Sequence, residues 1–131
     1  MQRVVITGVG VLTAVGKTAD DCFTAVLNGV SGVSRVRGFD VTDFTTQIAA
    51  QVPEDFDGSP VLSTKDVRKL DPFTVYGMYA TDEAIGHSGI DLENTDRDRV
   101  GVIMGSGIGG LSKIEAQDEV LRTRGPRRVT P

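Results

Sequence analysis

Apolar positions along the chain fall into two patterns. Arg3-Val-Val-Ile-Thr7 and Val100-Gly-Val-Ile-Met104 are short, continuous runs rich in β-branched residues. Runs of that kind predict strands covered on both faces, as in parallel sheets. Elsewhere the spacing is helical. Cys22, Phe23, Val26 and Leu27 follow Thr18, a good N-cap, with Asp21 three residues on as its capping-box-like partner. Asn28-Gly29 supplies a stop for that helix.

A longer helix is predicted from Asp71-Pro72, an N-cap followed by proline at the first helical position, to about Ser88, with Gly89 ending it. One stripe of it reads Phe73, Tyr76, Gly77, Ala80, Ala84. Its small residues predict close packing against a neighbour. Ser63-x-x-Asp66 predicts a short helix before it. A last helix is expected from about Leu111 to Arg122, with Leu111, Ile114 and Leu121 on one side. Residues 30–62 are irregular, broken by Ser31-Gly32, Gly38, Pro53 and Gly58-Ser59-Pro60, with a short strand expected within Gln47 to Val52. Strand, glycine loop and helix occur twice, so the predicted class is α/β with mostly parallel buried strands and covering helices.

Composition narrows the function. The 131 residues carry a net charge of −4, so no global positive field draws nucleic acid. Basic residues do cluster locally, at 65–69 and 122–128. With one cysteine, Cys22, a disulfide framework is impossible and a cysteine metal site is not expected. No apolar run approaches membrane-spanning length and no signal peptide opens the chain, so a cytoplasmic setting is expected.

Three glycine loops invite a nucleotide reading, and two fail on spacing. Gly10 and the Gly16-Lys17 pair are separated by five residues where a P-loop has four, and Val11 stands where its glycine should be. Gly8-Val9-Gly10 after the first run is followed by Thr13 where a dinucleotide fingerprint needs its third glycine. The third loop, Gly105 to Gly110, joins an apolar run directly to a helix. It suits either an anion or a sterically tight turn, and the residue types favour the turn. Ile108 is its one bulky side chain, either a core plug or the wall of an apolar pocket.

Five motifs occur in order: Val4-Val-Ile-Thr-Gly-Val-Gly10, Leu27-x-Gly-x-Ser-Gly32 with Phe39-Asp40 downstream, Arg68-Lys-Leu-Asp-Pro-Phe73, Gly105-Ser-Gly-Ile-Gly-Gly-Leu111 and Gly125-Pro-Arg-Arg-Val-Thr-Pro131. Together they resemble the opening of the β-ketoacyl-(acyl carrier protein) synthases of the elongating type, condensing enzymes of thiolase fold. The resemblance covers essentially the whole chain and implies that residues 1–131 are the N-terminal segment of such a domain.

It further implies decarboxylative Claisen condensation of an acyl group with malonyl-carrier protein, with no cofactor. The family's cysteine nucleophile, two histidines and lysine have no counterpart here. Cys22 reads as a small buried hydrophobe and His87 as a capping or surface residue, so no catalytic residue is expected in this stretch. By resemblance, Gly107, Ile108 and Gly109 line the acyl pocket near a homodimer interface. Lys65, Arg68 and Lys69, together with Arg127 and Arg128, dock the acidic acyl carrier protein. Neither nucleic acid nor a membrane is an expected partner. A polyketide ketosynthase or its non-catalytic chain-length factor is the alternative, and a nucleotide-binding α/β domain a remote one. Residues 1–131 by themselves are expected to be inactive and poorly folded or self-associated, because two apolar runs lack sheet neighbours.

Overall fold

The computed structural model describes residues 3–59 and 61–130; Met1, Gln2, the expected break at Pro60 and the last residue of the C-terminal motif, Pro131, lie outside them. In chain order the elements are α1 (Ala19–Leu27), β1 (Val33–Arg35), β2 (Ile48–Ala50), α2 (Thr64–Val67), α3 (Pro72–Ser88) and α4 (Leu111–Arg124). Single 3-10 turns lie at Arg97–Arg99 and Pro126–Arg128.

The helix ends form where the caps predict them. The Thr18 hydroxyl accepts from the Asp21 N–H at 3.1 Å, satisfying one of the free donors at the start of α1. At its other end Gly29 adopts φ 66°. The Gly29 N–H donates to Val26 and the Val30 N–H to Ala25, the paired bonds of a Schellman stop that favours glycine at this position. Asn28 adds a bond from its carboxamide to the Thr24 carbonyl at 2.9 Å. Ser63 caps α2 in the same manner as Thr18, accepting from the Asp66 N–H at 3.2 Å. Helix α3 spans the predicted residues, and α4 runs two residues past the expected Arg122.

Helix α3 organises the rest. Segment 8–11 lies along it, tied by the Val9 N–H to His87 Nδ1 at 3.2 Å and by the Val11 N–H to Glu83 Oε2 at 2.7 Å. As the segment advances its partners step back along the helix, so the two run antiparallel. Gly8 and Gly10 make the approach possible: a methyl group at position 10 would collide with the Ala80 carbonyl and come within 2.7 Å of the Ala84 nitrogen. On the same helix Gly77 admits the Met104 methyl, 2.7 Å from where a Cβ would stand. The small residues of the predicted stripe therefore do meet close neighbours. Tyr76 instead packs edge-on against Phe56, as does Tyr79, at centroid separations of 5.6 and 5.0 Å. Val41 and Val75 are the buried apolar residues of the described chain.

The strand expectations need correction. Among the described residues the sheet is a two-stranded antiparallel pair, β1 with β2, in the register Val33 to Ala50, Ser34 to Ala49 and Arg35 to Ile48. The short strand expected within Gln47 to Val52 is β2. The runs 3–7 and 100–104 form no strand and are not buried; Val4 is 95% exposed and Ile103 97%. Apolar periodicity reports what a segment would gain from burial. A strand also needs a partner for its N–H and C=O groups, and no described segment offers one to either run. The expected apolar side of α4 is likewise uncovered: Leu111, Ile114 and Leu121 are exposed. Among the described residues no helix is long and apolar enough to cross a membrane.

Candidate functional site

The turn between Met104 and α4 is shaped by its own backbone. The Gly109 N–H donates to the Ser106 hydroxyl at 3.0 Å, and Gly109 takes φ 78°, a left-handed conformation that favours glycine. Gly107 has nothing within 4 Å of where its side chain would begin, so the turn is open there. Ile108 projects from it with 73% of its surface exposed. The start of α3 faces one side of the turn. The Asp71 carboxylate lies against Gly110 where a Cβ would project, and the Phe73 ring reaches within 4.0 Å of the same position on Gly109.

Beside the turn, α3 and residues 102–106 enclose an open, mostly apolar groove of about 500 Å³. Val61, Phe73, Met78, Ile85, Val102 and Met104 line it, with Thr81 and Asp82 as polar neighbours. Ile108 is not among its walls.

The electrostatics argue against a phosphate at either glycine loop. A helix N-terminus attracts anions through its free N–H groups. At α1 that role is filled: Glu83 Oε1 accepts from the Ala19 N–H at 2.8 Å while its other oxygen holds Val11. At α4 the Asp71 carboxylate stands beside Gly110, the N-cap residue. One carboxylate thus fills the start of α1, and a second stands beside the start of α4 without bonding to it.

The five basic residues singled out by sequence are all exposed. Lys65 lies in α2, Arg68 caps it, and the Lys69 and Leu70 N–H groups still bond back to the Asp66 carbonyl, so one helical turn presents all three. Arg127 and Arg128 sit in the 3-10 turn after α4. Among the described residues none of the five is ion-paired; the salt bridges join Lys17 to Asp55, Arg37 to Glu54 and Arg122 to Asp118. The first group is two residues from Asp71 and hence close in sequence to the glycine turn. The second is separated from that turn by the length of α4, about 21 Å at 1.5 Å per residue.

Cys22 and His87 take structural roles. Cys22 is half-buried rather than fully buried, and its sulfur accepts from the Thr13 hydroxyl at 3.4 Å. His87 anchors Val9 near the end of α3. Among the described residues no group of three or more His, Cys, Asp or Glu is placed to hold a metal ion. Glu83 and the Asp71–Gly110 contact went unnoticed in the sequence. Glu83 binds backbone groups 64 and 72 positions away, a distance no local pattern spans.

Solved structures resolve the class. A type II polyketide synthase complex, an acyl carrier protein with its ketosynthase bound to the hexaketide, matches all of this chain and 33% of its own with TM-score 0.73 and 27% identity. The ishigamide ketosynthase/chain length factor shares the fold over 97% of this chain and 31% of its own, with TM-score 0.69 and 21% identity. The structure is therefore part of a thiolase-like ketosynthase fold.

Sequence relatives agree. The chain is 45% identical over 130 residues to 3-oxoacyl-(acyl-carrier-protein) synthase 2 of Vibrio harveyi and 34% identical to that of Staphylococcus aureus strain N315. In both cases 99% of this chain aligns with 31% of the relative's length. All of residues 1–131 match the family described as "Beta-ketoacyl synthase, N-terminal domain". The chain belongs to the beta-ketoacyl synthase family.

Proposed function

We propose that residues 1–131 are the N-terminal segment of a cytoplasmic, homodimeric condensing enzyme that elongates fatty acyl chains. The reaction is decarboxylative Claisen condensation of an enzyme-held acyl group with malonyl-acyl carrier protein, without a cofactor. The observation that carries this reading is whole-chain similarity, at 45% identity, to synthases named for that reaction. No residue of this chain is assigned to the chemical step.

The segment's part is recognition. Gly107, Ile108 and Gly109 contribute one wall of the acyl pocket, whose other walls come from outside this segment. Support comes from the shape of the turn: it is free of bulk except at Ile108, so that side chain alone sets how far an acyl chain extends past it. The Ile108→Phe variant of the full-length polypeptide tests this. Phenylalanine should abolish elongation of long acyl primers and spare short ones; an unchanged long-primer rate removes Ile108 from the pocket.

Lys65, Arg68 and Lys69, with Arg127 and Arg128, dock the acidic carrier protein. Their exposure and freedom from ion pairs support this, since unpaired surface charge is available to steer a partner.

A second reading is a ketosynthase of polyketide synthesis or its chain-length factor. The polyketide ketosynthase complex, matched at TM-score 0.73, favours it. Primer assays on the full-length polypeptide separate the two: condensation of fatty acyl primers by the polypeptide alone identifies the elongating synthase, and activity that appears only with an intact ketosynthase partner identifies a chain-length factor.

A further inference from the structure

The turn that carries Arg127 and Arg128 is tied at both ends. At its start Gly125 takes φ 80°, a left-handed backbone that favours glycine, and its N–H donates to the Leu121 carbonyl at 3.1 Å. Inside the turn the Arg128 N–H donates to the Gly125 carbonyl at 3.2 Å and the Val129 N–H to that of Pro126 at 3.3 Å. At its far end the Thr130 N–H donates to Gln117 Oε1 at 2.8 Å. Gln117 stands seven residues before Arg124, the last residue of α4, and so about 10 Å back along the axis at 1.5 Å per residue. The chain therefore reverses at Gly125 and returns beside the helix it has just left, with the two arginines at the bend. Charge opposes that return. Arg122, Arg124, Arg127 and Arg128 all fall within residues 122–128, and like charges favour spreading the segment. The half-buried, neutral Gln117 side chain works against the spreading.

We infer that Gln117 is a positioning residue for carrier docking: through the Thr130 N–H it holds Arg127 and Arg128 at the bend, in the arrangement that meets an acidic partner surface. The inference rests on the docking role proposed above for those two arginines. A loop already held in its bound arrangement avoids the cost of ordering it when the partner arrives. Without the tether, two long cationic side chains ride on a segment fixed at one end, and that cost returns at every encounter.

The experiment measures the Kd of acyl carrier protein for the full-length polypeptide at low salt. Gln117→Leu keeps a good helix former at the position and removes the acceptor. It should raise Kd by about threefold to tenfold, the range that one net hydrogen bond spans. In a background of Arg127→Ala with Arg128→Ala the same substitution should change Kd by less than about twofold, because nothing is left at the bend to position. Native-state hydrogen exchange at the Thr130 amide should quicken by about threefold to tenfold in both backgrounds, since the bond itself does not involve the arginines. A Kd that Gln117→Leu leaves unchanged, or raises equally in both backgrounds, overturns the inference, and so does an unchanged Thr130 amide. The arginine double variant is also the control. If it leaves Kd unchanged, the docking reading falls and this inference with it; if it weakens binding while Gln117→Leu does not, docking stands and the positioning role falls.

Discussion

Replacing Glu83 with alanine removes one carboxylate and two tertiary hydrogen bonds at once. Its oxygens accept from the Val11 N–H at 2.7 Å and the Ala19 N–H at 2.8 Å, so one side chain of α3 holds both the 8–11 segment and the first turn of α1. A hydrogen bond to a charged group contributes about 1.5–3 kcal/mol net. The site is half-buried, which favours the lower end for each bond. Two such bonds then amount to about 3 kcal/mol, or roughly a 150-fold rise in local opening at 1.4 kcal/mol per factor of ten. Native-state hydrogen exchange at the Val11 and Ala19 amides of the full-length polypeptide reads this directly. Glu83→Ala should cost both amides protection by about that factor. Glu83→Gln should spare one amide and expose the other, because a carboxamide has one oxygen and its NH2 would face the second N–H. Unchanged protection at both amides in the alanine variant would refute the bridge.

Three other outcomes follow from the geometry. Gly10→Ala places a methyl group against the Ala80 carbonyl and should cost about 1–3 kcal/mol in urea unfolding, whereas Gly86→Ala meets nothing within 4 Å inside α3 and should stabilise by about 0.5–1 kcal/mol; the opposite order would show that segment 8–11 does not lie on α3. The Asp91 carboxyl is held below its ordinary pKa, first by the Asn94 side chain and then by the Asn94 and Glu93 N–H groups. Its contribution to the turn is full above the unfolded-state pKa and is lost as pH falls through the lower folded-state value, so a carbon-13 carboxyl titration should show a depressed midpoint that Asn94→Ala moves up. Reversing Lys65, Arg68 and Lys69 together to glutamate should slow acyl carrier protein association by about tenfold or more at low salt, with the difference shrinking as salt is raised; a salt-independent rate for the parent enzyme would rule out charge-led docking.

Local chemistry was readable from residue order alone. Thr18, Ser63, Asp71-Pro72, Gly29 and Gly89 marked helix ends because a cap acts within a few residues of itself. The stripe of Gly77, Ala80 and Ala84 announced a close neighbour but could not say which. The neighbours, Met104 at Gly77 and Gly8 to Gly10 at Ala80 and Ala84, are distant in sequence and became visible only in three dimensions. Glu83 looked like any carboxylate on a helix face until its two backbone partners appeared. Asp71 has the type of a cap, and only the placement of Gly110 shows where its carboxylate goes. The runs 3–7 and 100–104 misled for a different reason: their composition states a preference for burial, and strand formation depends on a hydrogen-bonding partner that lies in no nearby sequence. At the candidate site, exposure of the basic residues followed from their type, while the placement of Asp71 and Phe73 beside the isoleucine turn did not.

Docking of the first segment onto α3 has a consequence for synthesis on the ribosome. Val9 finds its anchor 78 residues later, at His87. At about 5–20 residues per second, roughly 4 to 16 s pass between translation of the two. Throughout that interval the 8–11 segment has no helix to dock on. Nascent-chain chaperones have that window in which to shield it, and codon choice between the two anchors sets how long the window stays open.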